Sequence, residues 1–352
     1  MRVLLVFVPV AIIIHFVAPE RHIAVFTTSA LALLPLSAAI GSATETLAER
    51  LGGGIGGLLN ATFGNAAEFI IGVHALREGL VDLVKASLTG SIISNLLLVF
   101  GAAAFVGGLR HPVQRFNRTA AGLSTTMLLL STIGLVVPAV FHYLARGAAP
   151  ELTLDAEIAV VLLATYCAGL VFTLRTHRTL YGPTPAAGPD DAASDHARTT
   201  RTAVLLLLGA TVGVAIVSEL LVGAITPTAR DLGLTNLFVG VIVVALVGNA
   251  AEHYSAIMMA SRNQMDAAIG IAVGSSMQIA LFVGPALLLL SFVVAPRPMD
   301  LLFSVFELLA IGVAVLSIAF IAHDGETHWM EGVQLLAVYA ILALAFFFLP
   351  GS

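Results

Sequence analysis

The peptide Gly-Asn-Ala-Ala-Glu occurs twice in the chain, at residues 64–68 and 248–252. Each copy places one carboxylate, Glu68 or Glu252, inside a long apolar stretch. An ionised side chain within a membrane is costly, so such a residue generally has a function. Two of them in matching frames predict one site built by two halves of a duplicated chain. The alternative is that the glutamates only hold helices together, which would not require a duplicate.

Oxygen-bearing side chains accompany both copies at helical spacing. Asn65 and Asn249 each lie three residues before the glutamate of their copy, so each pair shares one helix face. The next apolar stretch of each half adds two polar positions, which are Ser91 and Asn95 in the first half and Ser275 and Gln278 in the second. Carboxylate, amide and hydroxyl oxygens suit a hard cation such as Ca²⁺, and no Cys or His cluster favours zinc or copper. The sequence therefore predicts an all-oxygen cation site.

The glycine that opens each copy predicts how backbone oxygens reach this site. Gly64 and Gly248 directly precede the asparagines, and glycine permits a helix break where carbonyl groups can turn toward a cation. Close packing of helices through small residues is the alternative role for these glycines.

The charge of the two glutamates predicts a mechanism. Two ionised carboxylates in an empty site of low dielectric are strongly disfavoured. One Ca²⁺ would neutralise them, and so would two protons, with the pair titrating as a coupled unit. A protein that changes sides only when loaded with one ligand or the other would perform obligatory exchange.

Composition shows what kind of protein must hold these residues. The chain has 352 residues, of which 59% are hydrophobic and 11% are charged, whereas soluble chains carry about 25% charged residues. This composition predicts an all-α polytopic membrane protein in contact with a lipid bilayer. The net charge of −5 argues against nucleic acid as a partner. No nucleophile–base set accompanies the carboxylates, which argues against an enzyme.

Eleven apolar stretches are long enough to cross a bilayer as helices. They cover residues 3–18, 23–44, 53–76, 80–106, 119–141, 156–175, 202–225, 234–260, 265–294, 300–322 and 330–349. Five stretches separate equivalent points of the two halves, and an odd number inverts the second half relative to the first. The predicted architecture is one N-terminal helix followed by two inverted five-helix repeats.

The predicted boundaries follow from these stretches and from one polar segment. Residues 1–20 form an N-terminal transmembrane helix, because no small-x-small cleavage site supports the alternative of a signal peptide. Residues 21–180 and 201–352 form the two repeats. Residues 181–200, rich in Pro, Gly and small polar residues, form a polar cytoplasmic linker. The distribution of Arg and Lys over the loops favours a cytoplasmic N-terminus.

A second acidic feature lies upstream of each repeated motif. Glu45 and Glu49 are four residues apart on one helix face, and Glu219 is the counterpart of Glu45 in the second half. Clustered negative charge raises the local concentration of cations, so these residues could form a cation entrance. They could equally be ordinary charges at the membrane interface, and the sequence leaves both interpretations open.

Four segments resemble the signature sequences of the calcium/proton antiporters, a family of the calcium:cation antiporter superfamily. They are Gly-Asn-Ala-Ala-Glu-Phe with Gly-Ser-Ile-Ile-Ser-Asn, and Gly-Asn-Ala-Ala-Glu-His with Gly-Ser-Ser-Met-Gln-Ile. The upstream Thr-Glu-Thr-Leu-Ala-Glu-Arg is also similar to the family pattern. The resemblance implies eleven spans, an inverted repeat and export of Ca²⁺ from the cytosol driven by H⁺. It also implies that Glu68 and Glu252 exchange the ions, lined by the asparagine, serine and glutamine positions named above.

The resemblance further implies Ca²⁺ and H⁺ as transported ions, with no cofactor. Related sodium/calcium exchangers carry Pro before the Glu and an Asp in the later span, where this chain has Ala67, Ala251 and Gln278. Fewer carboxylates favour H⁺ over Na⁺ as the counter-ion. The rival hypotheses are exchange with Na⁺, preference for Mn²⁺ or another divalent ion, and an ion channel. The compact, alanine-rich chain predicts a prokaryotic inner membrane, or a vacuolar membrane if the source is eukaryotic.

Overall fold

The computed structural model describes residues 2–144, 151–177 and 193–350, and almost all of them are helical. In chain order the helices are α1 (Phe7–Val17), α2 (His22–Phe63), α3 (Ala66–Arg77), α4 (Val81–Gly108), α5 (Arg118–Leu144), α6 (Glu151–Val171), α7 (Ala193–Leu232), α8 (Asn236–Gly248), α9 (Ala250–Ser261), α10 (Met265–Val294), α11 (Val305–Asp324) and α12 (Trp329–Phe348). A 3₁₀ turn, Arg2–Val6, precedes α1. The strands β1 (Gln114–Arg115) and β2 (Glu326–Thr327) form a short antiparallel pair.

The long apolar helices make the chain a multi-pass membrane protein. Eight of the described helices are long and apolar enough to span a membrane, and the bent pair α8 and α9 makes a ninth if it is one span. The prediction of eleven spans needs two further segments. The short apolar helix at Val3–Val17 and the segment that includes α3 are the candidates, and this part of the prediction stays a prediction.

Four helical segments in the described part of the chain are wound as π-helix. They are Ser94–Val99 within α4, Phe172–Thr176 after α6, Val239–Val244 within α8 and Ile279–Val283 within α10. The segments in α4 and α10 begin at Ser94 and Ile279, almost the same distance apart as the repeated glutamates. Short π-helical turns frequently occur at functional sites, because the wider turn redirects side chains and frees backbone oxygens.

The chain divides into two compact units, and the first contains residues 1–74 and 167–231. Within it, α1 and the π-helical end of α6 both pack against α2. The side chain of Leu36 lies against Gly213, where an added Cβ would come within 2.9 Å of it. Arg50 Nη1 donates a hydrogen bond of 3.2 Å to Thr200 Oγ1. Small residues at such crossings let membrane helices approach closely.

The second unit contains residues 75–166 and 232–352, and α4 is its most buried helix. The first half of α4 crosses the π-helical part of α8, and its last third packs against α9 and α12. Helix α5 packs against α10 and α11. Nearly every side chain from Leu83 to Ile93 is buried. A helix surrounded by lipid would carry apolar residues on all sides, whereas this segment also carries polar ones. The polar residues of α4 therefore lie inside the protein.

Two of the predicted boundaries in the first unit differ from the structure. Helix α2 runs without interruption to Phe63 through the gap predicted between the spans at 23–44 and 53–76, because Thr44 to Leu51 contains helix-forming Ala, Leu, Glu and Arg and no Pro or Gly. Helix α7 begins at Ala193, so the last eight residues of the predicted linker are helical. Every Pro and Gly of that linker precedes Asp190, and residues 181–192 lie outside the described part of the chain.

Candidate cation-binding site

The repeated motif forms a helix break in both halves of the chain. In the first half α2 ends at Phe63 and α3 begins at Ala66, so the break falls on Gly64 and Asn65. In the second half the break falls on Asn249, whose φ of −95° and ψ of 13° separate α8 from α9, and the two helices meet at 59°. The predicted breaks are confirmed. Within a membrane, irregular backbone of this kind is tolerated where it is buried in protein or lines a cavity.

Each break places its glutamate in the first turn of the next helix. Glu68 lies in the first turn of α3 and both of its carboxylate oxygens are buried. Glu252 lies in the first turn of α9, and its Oε2 atom is buried with no hydrogen-bond partner among the described residues. The first turn of a helix carries a partial positive charge that favours a carboxylate. The break therefore lowers the cost of holding an acid at this depth and leaves a carboxylate oxygen for a ligand.

A buried network of side-chain hydrogen bonds, here called the amide network, joins α4 to the break between α8 and α9 in the second unit. Asn249 Nδ2 donates to Ser91 Oγ at 2.8 Å and to the carbonyl oxygen of Ala245 at 2.9 Å. Its Oδ1 accepts a hydrogen bond of 3.2 Å from Asn95 Nδ2. Ser91, Asn95 and Asn249 are each at most 2% exposed. The network uses the Asn249 side chain to tie α4 to the break, so three predicted site residues lie together.

One oxygen of this network is not satisfied within the protein. Asn95 Oδ1 is buried and has no hydrogen-bond partner among the residues that the structure describes. A buried carbonyl oxygen without a donor is costly, and a bound cation is one means of satisfying it. In the second unit, Asn95 Oδ1 and Glu252 Oε2 are thus buried oxygens without a donor among the described residues, whereas both polar atoms of the Asn249 side chain form hydrogen bonds within the network.

The surroundings of the remaining predicted ligands indicate less about their roles. Asn65 is buried beside the first break, and Ser275 and Gln278 are half-buried on α10. Gln278 directly precedes the π-helical turn of α10. Sequence reasoning missed Ser276, which is fully buried and donates to the carbonyl oxygens of Ala272 and Ile92 at 2.9 and 3.4 Å. The repeat gave no signal for it, because its counterpart is Ile92.

The candidate entrance acids lie on the surface of the first unit. Glu45 and Glu49 on α2 and Glu219 on α7 are all exposed. Each repeated acid follows a fully buried hydroxyl residue, Thr44 or Ser218. The matching burial supports the predicted equivalence of these segments. The burial does not distinguish a cation entrance from ordinary charges at the membrane interface, so the entrance stays a prediction.

The sodium/calcium exchanger protein family matches residues 21–175 and 202–348, which is most of the chain. This chain belongs to that family. A Ca²⁺/H⁺ antiporter of Synechocystis is 44% identical over 364 aligned residues, which cover 99% of this chain and 97% of the relative. The Ca²⁺/H⁺ antiporter ChaA of Bacillus subtilis is 45% identical over 92% of both chains. The solved structure of native YfkE is 40% identical, covers 98% of both chains and has a TM-score of 0.84.

These similarities define the type of protein within the family. The relatives are antiporters of the calcium/proton type and not enzymes, so this family member is a transporter of the same type. The family resemblance inferred from the repeated motifs is confirmed. The roles of individual residues are a separate matter, which the geometry of the helix breaks and of the amide network addresses.

Loss of the amide network is expected to destabilise this antiporter. Replacing Asn249 with Ala leaves Asn95 Nδ2 and Ser91 Oγ without their partner, and each buried orphan costs about 1–3 kcal/mol. We expect a fall of roughly 2 kcal/mol or more in the free energy of unfolding, seen as a lower melting temperature of the detergent-purified protein. Ser276→Ala is the matched control, because its hydroxyl contacts only backbone oxygens. Equal melting temperatures for the two variants would contradict the role given to Asn249.

Proposed function

We propose that this chain exports Ca²⁺ from the cytosol in exchange for H⁺ by alternating access, with Glu68 and Glu252 binding Ca²⁺ or protons in turn. The observation that carries the proposal is the recurrence of one local structure in both halves. A break at the asparagine of the repeated motif is followed by a glutamate in the first turn of a helix, with buried carboxylate oxygen atoms. The names of the antiporter relatives support Ca²⁺ and H⁺ as the transported ions.

The chemistry of exchange follows from the charge of the glutamates. A dication or a pair of protons removes the cost of two ionised carboxylates in a poorly solvated site, while the empty state retains it. The empty protein then changes sides slowly and the loaded protein changes sides readily. Ca²⁺ moving one way becomes coupled to protons moving the other way, and the mechanism requires no cofactor.

The other proposed ligands supply neutral oxygens. Those in the second unit are Ser91, Asn95, Asn249, Ser275 and Gln278, and Asn65 accompanies Glu68 in the first. Ca²⁺ requires six to eight oxygens in flexible geometry, so two carboxylates need this support from amide, hydroxyl and backbone oxygens. Glu45, Glu49 and Glu219 are proposed to attract cations to the site rather than to bind them within it.

The proposed topology completes the eleven-span arrangement. One N-terminal helix precedes two inverted five-helix repeats, with the N-terminus in the cytoplasm and residues 181–200 as a cytoplasmic linker. The bias of Arg and Lys over the loops supports this orientation. The proposed location is a prokaryotic inner membrane, with a vacuolar membrane as the equivalent in a eukaryotic cell.

A transport assay with one gradient at a time tests the proposed ion pair. We expect purified protein in proteoliposomes to accumulate ⁴⁵Ca²⁺ when an outward proton gradient is imposed, and not when an outward Na⁺ gradient is imposed at equal pH. Competition by unlabelled Mn²⁺ measures selectivity among divalent ions. Uptake driven by Na⁺ would replace H⁺ as the counter-ion. Uptake that follows the Ca²⁺ gradient alone, with no counter-ion, would indicate a channel.

A further inference from the structure

A buried acid far along the chain from the repeated motifs has no role in the exchange described above. Asp155 lies near the start of α6, within a candidate span, and is 0% exposed. Its Oδ1 atom is buried without a hydrogen-bond partner among the described residues. An ionisable side chain in such a place is generally functional, and its partner identifies the function.

The partner of Asp155 is a histidine at the end of the neighbouring helix. His142 Nε2 on α5 lies 3.7 Å from Asp155 Oδ2, and the His142 side chain is only 10% exposed. At this distance the contact is an ion pair when the imidazole is protonated, and it exceeds the range of a good hydrogen bond when the imidazole is neutral. Histidine is the side chain that changes charge in the physiological pH range. The contact is therefore strong in one protonation state of His142 and weak in the other.

Asp155 also holds the segment that joins α10 to α11. Its Oδ2 accepts a hydrogen bond of 3.1 Å from the backbone N–H of Leu301. We call residues 299–303 of this segment the connector. Its side chains alternate, with Met299, Leu301 and Phe303 buried and Leu302 exposed. The buried three close a small apolar cavity, whose other walls come from α4, α5 and α10.

This cavity lies along the two helices that carry predicted site residues of the second unit, α4 and α10. Its lining includes Ile92 and Ile279, which directly follow the predicted site residues Ser91 and Gln278 in sequence. A connector that lifted away would expose the cavity wall beside these residues to water. The strength with which the connector is held therefore affects access to this side of α4 and α10.

The other charged groups around Asp155 define its electrostatic setting. Asp300 is the charged neighbour contributed by the connector, and Lys85 on α4 binds it at 3.0 Å. Lys85 also donates to the carbonyl oxygen of Leu302 at 3.0 Å and pairs with Asp82 at 3.2 Å. On α11, the carboxylate of Glu307 accepts hydrogen bonds from Thr89 and from the backbone of Ser304. Lys85 thus forms ion pairs with Asp82 and Asp300. Among the described residues, His142 is the one that forms an ion pair with Asp155.

We propose that His142 and Asp155 form a proton-binding site that controls how firmly the connector is held over the second unit. With His142 protonated, the ion pair keeps the Asp155 carboxylate buried and Leu301 anchored to it. Loss of that proton leaves a buried carboxylate near Asp300 with no cation of its own, so hydration of Asp155 and release of Leu301 become easier. The connector is held more tightly when the pair carries this proton and loosens when the proton is lost.

Thiol labelling of the connector tests this proposal independently of transport. The lone cysteine is first removed by Cys167→Ala, and Leu301→Cys or Leu302→Cys is then introduced. Reaction of the detergent-purified full chain with a maleimide is followed across about pH 5 to 8, the range in which histidine titrates. Dividing the rate for the buried position 301 by that for the exposed position 302 cancels the intrinsic pH dependence of thiol reactivity. We expect this ratio to rise at least about fivefold from acidic to alkaline pH, equivalent to a loss of about 1 kcal/mol of interaction.

Three variants distinguish a proton-binding site from a merely structural anchor. His142→Gln and Asp155→Asn keep the side-chain size and each removes one charge, so each should make the ratio independent of pH. Lys85→Gln weakens the connector by another route, so it should raise the ratio at every pH and preserve its rise. A ratio that does not change with pH before these substitutions, or that rises unchanged in both His142→Gln and Asp155→Asn, would overturn the proposal. Because no step depends on Ca²⁺, failure here would leave the proposed exchange intact.

Discussion

Replacing Glu252 with Gln is expected to abolish proton-driven ⁴⁵Ca²⁺ uptake into inverted vesicles. Glutamine keeps the size and one oxygen atom of the side chain but removes its negative charge. That charge is what either Ca²⁺ or protons would neutralise in the proposed exchange. Removal of one partner from a buried charge pair typically costs about 3–5 kcal/mol, which corresponds to a loss of roughly a hundredfold or more in affinity. Glu68→Gln is expected to have the same effect, because the first-half break presents its carboxylate in the same way.

Matched controls separate this effect from damage to the fold. Asp231→Asn and Glu78→Gln make the same change of charge at exposed positions, near the end of α7 and directly after α3. Both should retain transport. All four variants should remain in the membrane and elute as single species in detergent. Full uptake by Glu252→Gln or by Glu68→Gln would remove that residue from the proposed exchange.

Replacing Gly90 with Ala is expected to destabilise the second unit severely. A Cβ atom at this position would overlap the carbonyl group of Val241, in the π-helical turn of α8. Both are buried backbone positions, so α4 and α8 would have to separate where they cross. Overpacking a buried site costs about 1–3 kcal/mol and more when backbone must move, so we expect a loss of roughly 3 kcal/mol or more. The measurement is the thermal unfolding of detergent-purified protein.

The repeat supplies an internal control for this prediction. Gly274 is the counterpart of Gly90 in the second half, and an added Cβ there meets nothing within 4 Å. Gly274→Ala should therefore melt close to the unsubstituted protein. If Gly90→Ala were as stable as Gly274→Ala, the close crossing of α4 and α8 would be wrong.

The repeated sequence was sufficient to predict the breaks and the burial of the residues beside them. A glycine followed by an asparagine tends to interrupt a helix because of the backbone freedom of these residues. The three-residue spacing from asparagine to glutamate then places the glutamate in the first turn of the following helix. Asn65, Asn95 and Asn249 are buried as predicted, since a polar side chain at this depth has no other stable place. These features depend on residues that are close together in sequence.

Features that depend on distant contacts could not be predicted in this way. Gly90 and Gly274 occupy equivalent positions in the two halves, yet of these two only Gly90 meets the backbone of another helix closely. The hydrogen bonds of Asn249 to Asn95 and Ser91 join residues more than 150 positions apart. Which asparagine oxygen remains free is a consequence of that pairing. No spacing rule within either copy contains this information.

Loops and helix ends were the other source of error. The predicted span at 300–322 begins instead at Val305, because Ser304 and Glu307 form a capping box that starts α11. The residues before it form the connector, which a hydropathy pattern cannot distinguish from helix because Met299, Leu301 and Phe303 are apolar. Asp155 and His142 drew no attention in the sequence for a similar reason. Their contact exists only because α5 and α6 bring them together.

Proton release on Ca²⁺ binding is the most direct measurement of the central claim that Glu68 and Glu252 hold Ca²⁺ or protons in turn. Purified protein in weakly buffered detergent solution is titrated with Ca²⁺ while the release of protons and the binding of ⁴⁵Ca²⁺ are followed together. We expect about two protons released per Ca²⁺ at acidic pH, fewer as pH rises, and weaker Ca²⁺ binding with about one proton fewer in each single Glu→Gln variant. Undiminished, equally pH-dependent Ca²⁺ binding by the double variant Glu68→Gln, Glu252→Gln would contradict the account.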